Sequence, residues 1–288
     1  MAAGEAAGAI DAHHHFWQAG QHQKSPWAAP VFQEAFPPAA LVPHLEPAGV
    51  GGTILVQSVN EEIENKRLFE FAARAPFVRG TVIWLPWADP DAFRRQLADL
   101  AGAPLTCGVR WLVGRDSLAG LLRGEGLDLL ALVARHGLCW EVVPVTAGQI
   151  EEILVIARQL PELKIVVDHL ARPPLEAGDW DRWRRRIDRL AQMPNVAMKV
   201  SIGIDVLEGW SHWTAEGLPR CVGWAIDRFG AGRLMAASNW PVVTMRASYT
   251  EVWATWRRVL ADVGADQPSQ AAVLSGSATA WYGLPDAG

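Results

Sequence analysis

The chain has 288 residues, 50% of them hydrophobic and 20% charged, which is ample for one large core. A net charge of −5 argues against nucleic acid or an anionic membrane as a partner and leaves a small molecule as the expected one. No apolar run is long enough to span a bilayer. The Ala- and Gly-rich first ten residues have neither a charged start nor a long apolar centre, so no signal peptide is expected. Cys107, Cys139 and Cys221 are odd in number and widely spaced, which suits reduced core thiols in a cytoplasmic protein.

The first predicted strand runs into Ile10-Asp11-Ala12-His13-His14-His15-Phe16-Trp17. In a regular strand, Asp11, His13 and His15 share one face, and Ile10, Ala12 and His14 share the other. A connection over 18–50 follows, rich in proline and long for a structureless loop. The apolar, β-branched stretch 53–59 predicts a second strand ending near Gln57, and 61–74 its helix. Strands are predicted over 78–85, ending at Trp84, and over 106–112, containing Arg110. Further strands are predicted over 138–143 with Glu141, 164–170 with Asp168 and His169, 196–202 with Lys199, and 233–238 running into Asn239. Helices are predicted over 89–100, 118–136, 149–159, 180–192, 210–229, 249–263 and 268–281. The arginines at 182, 184, 185, 186 and 189 are offset by Asp179, Asp181 and Asp188 and read as a solvated helix face.

Eight short strands alternating with helices predict an α/β fold, a parallel (β/α)8 TIM barrel forming one domain over 1–288. A doubly wound open sheet is the alternative, but no Gly-x-Gly-x-x-Gly follows the first strand. Barrel enzymes gather reactive groups at the C-terminal strand ends. The unusual polar residues fall late in their strands: His13, His15, Gln57, Arg110, His169 and Asn239.

Each of these has a plainer alternative. Imidazoles at i and i+2 can clamp a metal ion, or hold a water and a substrate carbonyl; a surface histidine cluster is the bland reading. His169 reads as a site group or a structural histidine. Arg110 reads either as a grip on a substrate oxygen or as a buried ion-pair partner. Glu141 and Lys199, on alternate strands, are expected to pair inside the barrel. Gln57, Trp17 and Trp84 are candidate substrate-binding residues, although aromatic residues such as Trp17, Trp84 and Trp240 also build walls and cores. His14 points away and is excluded.

The stretches IDAHHHFW (10–17), CGVRWL (107–112), VVDHLARPP (166–174), NVAMKVS (195–201), RLMAASNWPV (233–242) and SATAWYGL (277–284) resemble the lactonase branch of the amidohydrolase superfamily. This branch is also called the amidohydrolase-2 or predicted metal-dependent hydrolase group. Its members open sugar lactones such as L-fuconolactone and L-rhamnonolactone, or pyrone dicarboxylate lactones. The resemblance implies a deformed barrel of the metallo-dependent hydrolase type, with His13, His15 and His169 facing a hydrolytic site. It implies either no required metal or a weakly bound divalent ion, such as zinc, on those three histidines. The family's eighth strand usually ends Gly-Ser-Asp-Trp-Pro, whereas this chain reads Ala237-Ser238-Asn239-Trp240-Pro241. The expected general base is thereby an amide, which cannot take a proton near neutral pH. The expected function is hydrolysis of a sugar-acid lactone or similar carbonyl compound. The alternatives are a C–N amidohydrolase or decarboxylase of the same fold, or a lactone-binding homologue with impaired catalysis.

Overall fold

The computed structural model describes residues 8–22, 29–175, 178–214 and 216–285. The expected lack of a leader concerns the first ten residues, of which 1–7 lie outside the described residues, as does the part of the first loop at 23–28 that contains Pro26. Eight parallel strands follow one another around a barrel in chain order. They are β1 (Ala9–His14), β2 (Val50–Val56), β3 (Val78–Ile83), β4 (Thr106–Arg110), β5 (Cys139–Val142), β6 (Ile165–Val167), β7 (Val196–Val200) and β8 (Leu234–Ala236). The ring closes just beyond β8. There Asn239 N donates to His13 O (2.8 Å), and His15 N donates to Trp240 O (2.7 Å). This is the expected (β/α)8 architecture.

The helices are α1 (Pro38–Leu45), α2 (Glu64–Ala72), α3 (Pro90–Leu100), α4 (Gly126–Arg135), α5 (Ala147–Gln159), α6 (Trp180–Ala191), α7 (Ile204–Gly209), α8 (Leu218–Phe229), α9 (Tyr249–Asp262), α10 (Gln267–Ala271) and α11 (Ser277–Tyr282). Side-chain caps start several of them: Asp89 accepts from Ala92 N, Asp179 from Arg182 N, and Thr146 and Ser248 form capping boxes. The helix expected over 118–136 is two pieces, because the chain turns at Gly124 with φ 56° before α4 begins. The loop over 18–50 carries α1 and a 3-10 turn at Pro30–Gln33, which Pro38 and Pro30 begin. No helix among the described residues is long and apolar enough to cross a membrane.

Strand alternation sorts the core into two layers. Leu55, Ile83, Val109, Trp140, Val167, Met198 and Leu234 face the helices. Ile10, Ala12, Ile54, Val56, Val82, Cys139, Val166, Ala197 and Met235 fill the barrel's interior, plugged from below by Ala278, Tyr282 and Leu284. Two residues further along the interior faces of β5, β6 and β7, apolar gives way to Glu141, Asp168 and Lys199. With Arg110 and His13 they form a fully buried polar layer. Several strands stop earlier than expected, β2 at Val56 and β6 at Val167, because beyond these points the backbone leaves the ladder to carry the site.

Candidate active site

The histidine strand is irregular. Asp11 pairs with Thr53 but His14 pairs with Leu55, so β1 spends three residues where β2 spends two. The extra residue is a β-bulge, held by His13 N donating to Asp11 Oδ1 (3.1 Å). The bulge overturns the simple alternation expected for this strand. Asp11 does not share a face with His13 and His15. It faces outward with His14 and accepts from Ser238 N (2.9 Å), Ser238 Oγ (2.6 Å) and Tyr249 Oη (3.0 Å). It thereby ties β1 to the end of β8 and to α9. Burial raises its carboxyl to about 6 against the pull of those hydrogen bonds. His14, excluded from the site by the sequence, is bonded to Thr53 Oγ1 (2.8 Å) on the helix side.

His13 and His15 both turn inward. Their Nε2 atoms are 3.1 Å apart. His15 Nδ1 lies 2.7 Å from Val56 O, an acceptor, so its proton sits on Nδ1 and Nε2 carries a lone pair. Arg110 Nη1 lies 3.2 Å from His13 Nε2, and a guanidinium only donates, so this nitrogen too presents a lone pair. His13 Nδ1 lies 3.4 Å from Asp168 Oδ1. Of the two facing nitrogens, the His13 lone pair is taken by Arg110, and that of His15 stays open to a ligand or a proton.

The polar layer beneath explains why these rings stay in place. Lys199 Nζ is 2.7 Å from Glu141 Oε1, 3.4 Å from Asp168 Oδ1 and 3.1 Å from His13 Nδ1. The expected Glu141–Lys199 pair is therefore real and runs on into the site. Tyr282 Oη donates to Glu141 Oε1. Arg110 Nη1 donates to Asp168 Oδ2 (3.1 Å), and Nη2 donates to Gln57 O. Two cations balance two carboxylates, as burial demands. Burial would raise the Asp168 carboxyl, but Lys199, His13 and Arg110 together hold it well below the ordinary range. Burial raises that of Glu141 in spite of Lys199.

His169 comes from a different construction. His169, Leu170, Ala171 and Arg172 have φ of 56, 49, 48 and 64°, four successive left-handed residues without a glycine. Such a turn is strained by roughly 1–2 kcal/mol per residue. Its consequence is that Asp168 and His169, adjacent in sequence, both face the site. His169 Nδ1 is 2.9 Å from Ser201 Oγ, which leaves Nε2 for a ligand. Its ring centroid is 4.7 Å from that of His13. Burial lowers His169 to about 4, and burial also lowers His13 and His15 well below the usual range, so all three rings are neutral near pH 7.

Asn239, at φ 58°, sits just beyond β8 in a left-handed conformation that asparagine tolerates. Its Nδ2 donates to Ile202 O (2.8 Å). His15, His169 and Asn239 expose 5%, 6% and 3% of their surface while His13 exposes none, so the first three are the groups a substrate can touch.

The other candidates fall further back. Arg110 is 2% exposed and its fork is spent on Asp168, His13 and Gln57, so it binds the site together rather than offering a free grip to substrate. Gln57 is fully buried, with Nε2 donating to Arg110 O (3.2 Å) and Oε1 lacking a hydrogen-bond partner among the described residues. Trp17, at 1% exposure, packs among His22, Phe32 and Phe36 under the first loop, with its ring centroid 6.2 Å from that of His15. Trp84 is half-buried at the end of β3, where Asn65 holds its backbone N (2.9 Å) and O (2.7 Å).

The donor set suits a divalent cation in part. One ligand atom each from His13, Asp168 and His169 lies within 4.8 Å of the others, and Asp168 Oδ1 has no hydrogen-bond partner among the described residues. Asp168 thus joins a set expected from histidines alone. Sequence reasoning missed it because neighbouring residues of a regular strand face opposite ways; the left-handed turn removes that restriction.

The profile of the amidohydrolase family matches residues 10–284. An L-fucono-1,5-lactonase from Burkholderia ambifaria is 30% identical over 95% of this chain and 94% of its own. An L-rhamnono-gamma-lactonase from Scheffersomyces stipitis is 27% identical over 47% of this chain and 45% of its own length. A crystal structure of an amidohydrolase from Burkholderia multivorans with bound zinc superposes with a TM-score of 0.87, at 25% identity, covering 96% of this chain and 99% of that one.

Proposed function

The chain belongs to the amidohydrolase family, and from that premise we propose that it is a hydrolase that opens the lactone of a sugar acid. The observation that carries the reading is the placing of His15, His169 and Asn239 just past the C-terminal ends of β1, β6 and β8, each slightly exposed, over a buried and charge-balanced support. The lactonase names of its relatives favour an ester over an amide as the bond cleaved.

In this mechanism Asn239 Oδ1 accepts from the attacking water, because its Nδ2 is already committed to Ile202 O. His169 Nε2 takes the water's proton, with Ser201 fixing the ring, and later returns it to the ring oxygen that leaves as an alcohol. The positive end of Arg110, held against His13 Nε2, lowers the energy of negative charge developing on the carbonyl oxygen. Arg110 and Lys199 act as positioning residues, and Trp84 forms a wall. A divalent ion held by His13, Asp168 and His169 would polarise the carbonyl and acidify water, and it would occupy His169 Nε2, so that His169 serves as the base in the ion-free protein. Its affinity is low in this reading, because Lys199 and Arg110 already bring positive charge there and Asn239 adds no negative charge. Three free buried thiols favour a cytoplasmic setting.

The test is acid release from a panel of aldonolactones, with matched amides alongside and titration of non-hydrolysed sugar acids as a companion. Turnover of amides alone would replace the lactonase reading, and saturable binding without turnover would mark a ligand-binding homologue.

A further inference from the structure

Asp11 is fully buried on the helix side of β1 and takes no part in the mechanism above. A carboxylate has about four lone-pair positions to fill, and here they are filled from the seam where the barrel closes. Oδ1 accepts from His13 N (3.1 Å) and Ser238 N (2.9 Å). Oδ2 accepts from Ser238 Oγ (2.6 Å) and Tyr249 Oη (3.0 Å). Ser238 Oγ in turn accepts from Trp240 N (2.9 Å).

One carboxylate thereby reaches both backbone irregularities of the seam. His13 N belongs to the bulge that turns His13 and His15 inward. Ser238 N and Trp240 N flank Asn239, whose φ is 58°. Asn239 N then donates to His13 O (2.8 Å), and Asn239 O accepts from Val243 N (3.0 Å). Helix α9 holds this seam from outside the barrel. Tyr249, its first residue, reaches Asp11, and Trp256 further along donates from Nε1 to Ala237 O (3.0 Å).

We propose that Asp11, anchored by Tyr249, is a positioning residue for the hydrolytic step. It fixes the backbone of Asn239, and with it the direction in which Asn239 Oδ1 is presented to water. The inference rests on the lactonase reading above and adds to it a residue that acts only through another. Asparagine enters the left-handed region more readily than most residues, yet as one conformation among several. The hydrogen bonds gathered on either side by Asp11 select that one. The precision matters, because a reacting group misplaced by about 1 Å costs on the order of 10²-fold in rate.

The experiment is a double-variant cycle in lactone hydrolysis. Asp11→Asn and Tyr249→Phe are each made in the parent and in Asn239→Ala. Asp11→Asn keeps the shape but turns one oxygen into a donor facing two hydroxyls, whereas Tyr249→Phe removes a single donor and carries the test if Asp11→Asn does not fold. In the parent background kcat is expected to fall at least about tenfold in Asp11→Asn and about threefold in Tyr249→Phe, within the penalty for misplacement, with KM nearly unchanged. In Asn239→Ala neither change lowers kcat further. An undiminished kcat, or the same fractional loss in both backgrounds, overturns the proposal, since a merely structural residue acts equally in either. If the parent opens no lactone, the lactonase reading fails by itself and amide hydrogen exchange decides the role of Asp11, as it also does if Asn239→Ala is too slow to measure. Exchange that quickens in Tyr249→Phe within 9–17 and 236–243 but not within 165–171 supports the proposal. Unchanged exchange, or a rise shared by all three segments, overturns it.

Discussion

Replacing Asn239 by aspartate installs the carboxylate that the resemblance implies after the eighth strand, yet this chain is not built to receive it without loss. Asn239 Nδ2 donates to Ile202 O at 2.8 Å, and a carboxylate has no proton to give. Leaving that buried carbonyl unpaired costs about 1–3 kcal/mol. The new charge is also 97% enclosed if it keeps the parent's 3% exposure. Asn239→Asp in chelator is therefore expected to melt a few degrees below the parent, since 1 kcal/mol moves the midpoint of a large domain by about 2–4 °C. Zinc should reverse the loss. Saturation at a hundred times Kd returns about 2.7 kcal/mol, and the carboxylate adds the negative charge that His13, Asp168 and His169 lack against Arg110 and Lys199. Acid release by the zinc-loaded variant should rise at least about tenfold, short of the roughly 10²–10⁴-fold that a well-positioned base supplies. The assay is thermal unfolding with chelator and with zinc, followed by steady-state kinetics. An aspartate variant as stable as the parent in chelator would remove the Ile202 argument. Equal stabilisation of both proteins by zinc would show that position 239 does not address the cation.

The buried ion pair is the next test: Lys199→Met and Glu141→Gln should each destabilise by about 3–5 kcal/mol, and the double variant by clearly less than their sum. Urea unfolding measures this, and strict additivity would show the two groups to be independent. Leu105 has φ 71° and is 38% exposed, so Leu105→Gly should stabilise by roughly 1 kcal/mol in the same assay, and a loss would contradict the strain. Stability should fall on acidification. Burial puts His14 at about 3 and His169 at about 4, below the unfolded 6.5, so their contribution is complete above 6.5 and declines towards 4. Together they lose about 2.7 kcal/mol per pH unit in that window. Asp11, raised to about 6 from 3.8, acts in the opposite sense below 6 and cancels about one of them. Unfolding midpoints at pH 7, 6 and 5 that stay flat would refute the assignment.

The barrel was legible in the sequence because period-two patterning survives along β5, β6 and β7: Cys139 then Glu141, Val166 then Asp168, Ala197 then Lys199. The same period exposed the Glu141–Lys199 pair. What was not legible arises where the backbone departs from regularity. The bulge between Asp11 and His14 breaks the alternation that grouped Asp11 with the site histidines. The left-handed turn from His169 to Arg172 has no glycine or asparagine to announce it, so Asp168 remained an ordinary strand residue. Trp17 and Arg110 illustrate a different limit. Their types and positions suit substrate contact, and only packing shows that one is enclosed by Phe32 and Phe36 and the other is consumed by Asp168 and Gln57 O.

The most direct test of the account is steady-state acid release from sugar-acid lactones by the parent protein and by His169→Gln, with thermal unfolding of both. The account predicts saturable release by the parent, and a kcat at least about a hundredfold lower in the variant, the effect of removing a general base, with unfolding within a few degrees of the parent. A parent that opens no lactone, or a variant that retains the parental kcat, would contradict it.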